Sequence, residues 1–294
     1  MVDIKQCPVC SANAFRQDLI CKDYTVSKED FELVVCKSCG FKFTNPRPED
    51  AVIGNYYKSE DYISHSNTSK GIISKLYHAV RNYTLKNKLA LISKYVSKGT
   101  ILDYGCGTGM FLNTCKNAGW KTFGIEPDQG ARIMTAEADT EVFENKHLLQ
   151  EKHPGQKFDV ITLWHVLEHV TDLDPTLEFL KNKLSPNGVL IIAVPNHSSF
   201  DAKHYRQFWA AYDVPRHLYH FERKTIEQLL ARFQFKLVDT KPMKFDSFYV
   251  SMLSEKYRTG AIKYLSAFVT GLRSNLNAAA AENYSSVIYI FKKV

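Results

Sequence analysis

Residues able to do chemistry fall in four short stretches of this chain. The first, Asp103-Tyr104-Gly105-Cys106-Gly107-Thr108-Gly109, is an acid that runs at once into three alternating glycines. Glycines there allow positive φ and let a ligand lie against the backbone with no Cβ between them. Glu126-Pro127 ends a second apolar run, close to the roughly 20-residue offset at which a doubly wound fold sets an acid against a ribose diol. The loop reads G-x-G-x-G where a dinucleotide site reads G-x-G-x-x-G, and a carboxylate at its head repels a pyrophosphate but attracts a cation. In the second stretch, Trp164-His165-Val166-Leu167-Glu168-His169, a carboxylate stands between two imidazoles. Imidazole exchanges its proton near pH 6.5, so His169 is a candidate general base with Glu168 beside it. Because the two are neighbours, a helix there would turn only one of them to a substrate. The third stretch is Asp213-Val214-Pro215-Arg216-His217-Leu218-Tyr219-His220-Phe221. Arg216 offers a forked donor for a carboxylate or phosphate, and His217 is a second candidate base. Trp209, Asp213, Arg216 and His220 are read as acceptor-binding; in a competing reading Asp213 and Arg216 pair to fix the segment. The fourth is a pair of knuckles, Cys7-x-x-Cys10 and Cys36-x-x-Cys39, the spacing of four thiolate ligands around a structural zinc.

A ligand with a sulfonium, an ammonium and a ribose but no phosphate suits the first stretch, and S-adenosylmethionine answers that description. At these residues the sequence resembles the class I S-adenosylmethionine-dependent methyltransferases. Leu102-Asp103-x-Gly105-Cys106-Gly107-Thr108-Gly109 is similar to their first motif, and Glu126-Pro127 to their second. Leu167-Glu168-His169-Val170 and the Asp213 to Phe221 segment are similar to stretches in the quinone and sugar branch. The resemblance covers about residues 99–294 and implies a doubly wound, seven-stranded, Rossmann-like α/β sheet, mostly parallel with an antiparallel last strand. It implies cofactor contacts at Asp103, Gly105, Cys106, Gly107, Gly109, Glu126 and Pro127 and along the main chain of Leu163 and Trp164. S-adenosylhomocysteine is then the second product, and nothing requires a catalytic metal. Some sugar C-methyltransferases join a four-cysteine zinc module to such a domain, so the ribbon is similar to theirs on its cysteines alone.

Such residues need an α/β frame to hold them. Ile101-Leu102-Asp103 reads as a buried strand, Met110 to Ala118 as a helix closed by Gly119, and Lys121 to Ile125 as the next strand. A weak strand at Glu141 to Phe143 and a clear one at Phe158 to Leu163 follow. Asp174-Pro175 looks like the cap and first turn of a helix with Leu173, Leu177, Leu180 and Leu184 on one side. Pro186-Asn187-Gly188 then reads as a turn into the strand Val189 to Val194. Two cap insertions, about 196–220 and 245–282, interrupt the alternation, and Phe235 to Thr240 and Ser286 to Phe291 complete the sheet. Residues 1–48 form the expected zinc ribbon, 49–98 a helical linker or lid, and 99–294 the methyltransferase domain. In the linker Leu85, Leu89, Ile92 and Val96 share one helix face, while Lys70, Lys75, Arg81, Lys86, Lys88, Lys94 and Lys98 make it the most basic element. That charge is a solvated face, a guide for an anionic substrate or a membrane contact.

The chain has 294 residues, 45% of them hydrophobic, and a formal net charge of +7, enough for one large domain and a small one. No apolar run reaches the roughly 18 residues of a membrane span, and the first residues lack signal-peptide features, so the expected location is cytoplasmic. An RNA methyltransferase using the ribbon is one alternative. Residues 1–48 carry seven Lys and Arg against six Asp and Glu, a difference of +1, and four thiolates on a zinc ion add −2, which argues against phosphate binding. A non-catalytic S-adenosylmethionine-binding protein is the other. The reading preferred is methyl transfer to oxygen or carbon of a small-molecule or conjugated acceptor, such as a sugar, lipid or secondary metabolite, with a His or Glu base. Oligomeric state stays open.

Overall fold

The computed structural model describes residues 1–57, 72–136 and 140–294, with the side chains of 72–79 and 281 outside that description. The polar part of the expected linker from Ser64 to Lys70, and the Lys75 side chain, therefore lie outside the described residues. Three antiparallel strands come first: β1 (Phe15–Lys22), β2 (Asp30–Cys36) and β3 (Lys42–Thr44). The short helix α1 (Asp50–Ile53) and the long α2 (Ile72–Tyr95) follow. Alternation then runs β4 (Thr100–Tyr104), α3 (Met110–Asn117), β5 (Lys121–Ile125), α4 (Gln129–Ala136), β6 (Glu141–Phe143) and α5 (Lys146–Lys152). It continues with β7 (Phe158–Trp164), α6 (Leu173–Lys183) and β8 (Leu184–Pro195). After these come α7 (Phe200–Tyr205), β9 (Tyr219–His220), α8 (Arg223–Ala231), β10 (Phe235–Pro242), α9 (Asp246–Thr259), α10 (Tyr264–Ala281) and β11 (Ser286–Lys293).

Seven strands form the main sheet in the order β10-β11-β8-β7-β4-β5-β6. Only β11 runs against its neighbours, β8 and β10. Val189 to Val194 are all buried, the continuous apolar run that a strand covered on both faces requires. The order reverses between β4 and β7, and in an open α/β sheet the carboxyl ends on either side of such a reversal form the ligand crevice. Asp103 lies at the end of one of these strands and Trp164 ends the other. Leu85, Leu89 and Val96 of the linker pack with Leu91 and Ile92 against this sheet, as their spacing predicts.

Local details differ from expectation in two places. Helix α6 begins at Leu173, preceded by Asp172, so Asp174 lies inside its first turn. Pro186-Asn187-Gly188 is no separate turn but a bulged start of β8, where Phe158 pairs with Leu184 and Val160 with Val189. There Gly188 packs so closely that a Cβ would stand 3.0 Å from the Asp159 carbonyl oxygen. The 245–282 insertion is a hairpin of two helices, α9 and α10, because Gly260 takes φ +80° and ends the first.

The ribbon's sheet reaches beyond residues 1–48. It has four strands, β1-β2-β3-β9, and the fourth comes from the 196–220 insertion. Phe41 and Phe43 are fully buried against Tyr219 and Phe221 in one core with the main sheet, so the ribbon does not depend on a metal for its whole interior. Arg216 fastens the same junction with its side chain 1% exposed. Its Nε and Nη2 donate to Asp213 at 2.9 and 2.6 Å, Nη2 also to Asp23 at 3.1 Å, and Nη1 to the Tyr56 carbonyl at 2.8 Å. The ribbon, linker and insertion thus meet on one guanidinium. Replacing it by Arg216→Leu strands two carboxylates, and urea unfolding should show a loss of about 3–5 kcal/mol; an unchanged midpoint would refute the assignment.

Candidate active site

The glycine loop after β4 is built for close approach. Gly105, Gly107 and Gly109 have φ of 75°, 54° and 71°, a region that L side chains avoid. A Cβ on Gly105 would stand 2.5 Å from Val166 Cγ2, whereas at Gly107 it would meet nothing within 4 Å. Gly105 is therefore closed by the fold itself, while Gly107 faces open space. Glu126 clamps the loop from β5: its Oε2 accepts from the Gly107 amide at 2.8 Å and its Oε1 from the Asp128 amide at 2.9 Å. Cys106 packs its thiol toward Gly124, where a Cβ would come within 2.7 Å, and leaves its backbone to the loop. Leu163 is fully buried.

Asp103 is 3% exposed and accepts a 2.6 Å hydrogen bond from Thr162 across the β4–β7 gap. Burial pushes its carboxyl up to about 7, against the Thr162 hydrogen bond and the nearby charge of Lys88. Lys88 leans inward from α2, its Nζ 4.1 Å from the centre of the Trp164 ring, and burial lowers its pKa. One lysine of the basic helix is thus turned into the crevice.

Beyond β7 the chain places His165 in the left-handed region at φ 57° and then makes a 3-10 turn, Leu167–His169. A non-glycine residue held there marks a position that the surroundings enforce. Burial opposes charge on His165, but Asp246 at 3.1 Å from its Nε2 and Glu168 at 3.4 Å from its Nδ1 outweigh it and lift the imidazole to about 10. Glu168 is fully buried, yet among the described residues neither carboxylate oxygen has a hydrogen bond. Burial favours its neutral form, but His165 holds it below the usual carboxylate range. His169 goes the other way: burial and the adjacent His217 push it down to about 4, so it is neutral at pH 7.

The segment after β8 closes over this turn. Leu218 N donates to the Glu168 carbonyl at 2.8 Å. His217 Nδ1 donates to the Ala211 carbonyl at 2.8 Å. His169 Nδ1 lies 3.1 Å from the Arg216 carbonyl and 2.9 Å from the Tyr57 hydroxyl. The two imidazoles stand edge to face with centroids 4.5 Å apart. Ligand atoms of Glu168, His169 and His217 all fall within 4.8 Å of one another, so the tight turn brings together two neighbours that a helix would have separated.

The four residues expected to bind the acceptor have internal partners instead. Arg216 and Asp213 pair with each other, Arg216 also with Asp23, and Trp209 Nε1 donates to Asp201 at 2.8 Å. His220 is buried with its Nε2 3.3 Å from the Thr44 hydroxyl. In each case burial favours a protein partner over a ligand. Conversely, His165, Asp246, Tyr57, Lys88 and Thr162 reach the crevice without having been singled out for it. His165 is the first imidazole of the Trp164 to His169 stretch; the others carry no local signal. Far from the crevice, Cys7 and Cys39 have sulfurs 3.6 Å apart, as do Cys10 and Cys36, and all four lie within 4.8 Å. Zinc bonded to sulfur at about 2.3 Å makes a tetrahedron with an edge of roughly 3.8 Å, so the donor set fits that ion.

Crevice, strand order and glycine loop together define a nucleoside-binding α/β enzyme fold, and comparison with known proteins narrows it. The profile of the family described as "Methyltransferase domain" matches residues 77–240, more than half of the 294 residues, and the chain belongs to that family. Ubiquinone biosynthesis O-methyltransferase of Bradyrhizobium diazoefficiens is 26% identical over 102 residues, covering 33% of this chain and 40% of that one. The enzyme of the same name from Rickettsia typhi is 26% identical over 149 residues, 48% of this chain and 60% of its own length. The chain thus spans about two fifths to three fifths of these relatives. Among solved structures, magnesium protoporphyrin IX methyltransferase of Synechocystis PCC 6803 with bound S-adenosylhomocysteine has a TM-score of 0.54 at 13% identity. The match covers 84% of this chain and 100% of that one, a likeness of fold.

Because Asp103 is neutral below about pH 7 and ionised above it, a cationic ligand must displace a proton at low pH. Affinity for S-adenosylhomocysteine, whose amino group is charged, should rise between about pH 5.5 and 7.5 by up to about tenfold per unit and then level off. Calorimetry should show this slope, and Asp103→Asn should flatten it. Equal slopes in both proteins would remove Asp103 from the site.

Proposed function

We propose that the chain transfers the methyl group of S-adenosylmethionine to a hydroxyl of a small-molecule or conjugated acceptor. Similarity to the ubiquinone O-methyltransferases supports an oxygen acceptor, and a carbon acid needs the same base. When bound, S-adenosylmethionine supplies a methyl carbon already activated for displacement. Asp103, the backbone of Gly105 to Gly109, Glu126 and the main chain at Leu163 and Trp164 would hold it, and Lys88 would balance its carboxylate. The division into a ribbon (1–48), a linker (49–98) and a catalytic unit (99–294) belongs to the same reading.

One observation carries the proposal: a fully buried carboxylate, Glu168, with no hydrogen bond to either oxygen among the described residues. Leaving such a group unsatisfied costs about 1–3 kcal/mol or more, and an acceptor hydroxyl donating to it would recover that cost. Glu168 then orients the hydroxyl and takes up its proton as the methyl group is transferred, with the imidazoles of His169 and His217 beside it. His165, held cationic between Glu168 and Asp246, keeps the carboxylate ionised until the acceptor arrives.

Labelled S-adenosylmethionine offered with a panel of phenols, hydroxyquinones and sugar nucleotides should yield a product methylated at oxygen or carbon. Glu168→Gln should slow single turnover by about 10²–10⁴-fold while S-adenosylhomocysteine still binds. Label appearing only on RNA, or full activity in Glu168→Gln, would overturn this reading.

The cysteine cluster is proposed as a structural zinc site. Elemental analysis should find one zinc per chain, and Cys36→Ser should lose it. Isolated fingers gain about 10–16 kcal/mol from zinc. The loss here should be only a part of that, because β9 and the shared aromatic core support the ribbon independently. Full metal loss with an unchanged melting temperature would show that the ion is not structural.

A further inference from the structure

Helix α10 is built inside out. The residues it presses against the protein are small or hydroxylic: Ala267, Thr270, Gly271, Ser274 and Ala278 are all buried. Gly271 lies so close to α9 that a Cβ would stand 3.0 Å from Phe248 Cα, and the Ser274 hydroxyl donates to Asp201 at 2.6 Å. Its large apolar residues face water: Leu265 is 77% exposed, Leu276 66%, Phe268 57% and Leu272 42%. At 3.6 residues per turn, Leu265, Val269, Leu272 and Leu276 share an arc of about 60°, roughly opposite the buried face. A surface helix normally turns its apolar stripe inward. Here the stripe points away, and Tyr83 on α2, Phe245 at the start of α9 and Tyr249 on α9 are exposed as well, with the Tyr83 and Phe245 rings edge to face.

Charge is sorted around the stripe. No Asp or Glu occurs between Glu255 and Glu282, whereas Lys256, Arg258, Lys263 and Arg273 do. The acids nearby are engaged elsewhere: Asp246 faces His165, Glu255 accepts from Arg258, Tyr205 and Ser266, and Glu282 accepts from Arg223 and Thr240. Lys244, Lys256, Lys263 and Arg273 are exposed at the rim. A second copy joined face to face would set one basic rim against another. An apolar stripe edged with tyrosines and cations is instead the surface that an anionic bilayer complements.

The geometry points to α10 as an interfacial helix that seats the α9–α10 hairpin on an anionic lipid bilayer. This goes beyond the proposed methyl transfer and does not depend on it. The hairpin also carries Asp246, which reaches the crevice, so the docked face and the site share one element.

The purified full chain should co-sediment with vesicles of phosphatidylcholine containing phosphatidylglycerol, and less with phosphatidylcholine alone. Raising salt from about 0.05 to 0.5 M should weaken this binding, because the electrostatic part is screened. The double variant Leu265→Ser, Leu276→Ser should lower partitioning by about tenfold or more, with unchanged melting temperature and unchanged S-adenosylhomocysteine binding. Absence of wild-type binding to the anionic vesicles would overturn the inference. So would equal binding by the variant, or a stable dimer in light scattering that the two serines dissociate.

Discussion

Arg216 is almost wholly withdrawn from water, a loss that only close anionic and carbonyl partners offset, and the rest of the structure depends on that exchange. A guanidinium is planar, so its donors fix Asp213, Asp23 and the Tyr56 carbonyl relative to one another. Three parts of the chain far apart in sequence are thereby set in register. His217 is the next residue, and Leu218 after it bonds the Glu168 carbonyl, so the proposed base cluster inherits its geometry from this junction. The ribbon is part of the wall behind the site rather than an appendage.

Around the crevice, charge is arranged in two groups. Asp103 and Lys88 lie on the side of the glycine loop, and Glu168, His165 and Asp246 on the side of the 3-10 turn. Each of these acids has a cation close by. Lys88 comes from the linker helix and Asp246 from the cap hairpin, so both additions to the α/β core contribute to the crevice. Burial makes these interactions stronger than they would be in water, and it makes their protonation sensitive to occupancy.

Much of the frame was legible because it follows from short-range pattern. Alternating strands and amphipathic helices, the glycine loop, the acid after the second strand and the cysteine spacing each involve residues a few positions apart. Ambiguity began where one residue had several chemically reasonable partners. Arg216 has the fork to grasp a substrate anion, yet Asp23, 193 positions away, takes it first. His220 has a ligand's imidazole, but the two-residue strand it belongs to completes the ribbon sheet.

By itself the sequence determined the cofactor-loop chemistry, the order of the elements and the four soft ligands, since these are set by residue type and local spacing. Tertiary structure alone decided that Glu168 is buried beside His165, that His165 is held cationic and that Arg216 is internal. It alone turned the leucines of α10 outward. Each of these is settled by which distant groups share a low-dielectric interior and which meet water, and no local pattern encodes that division.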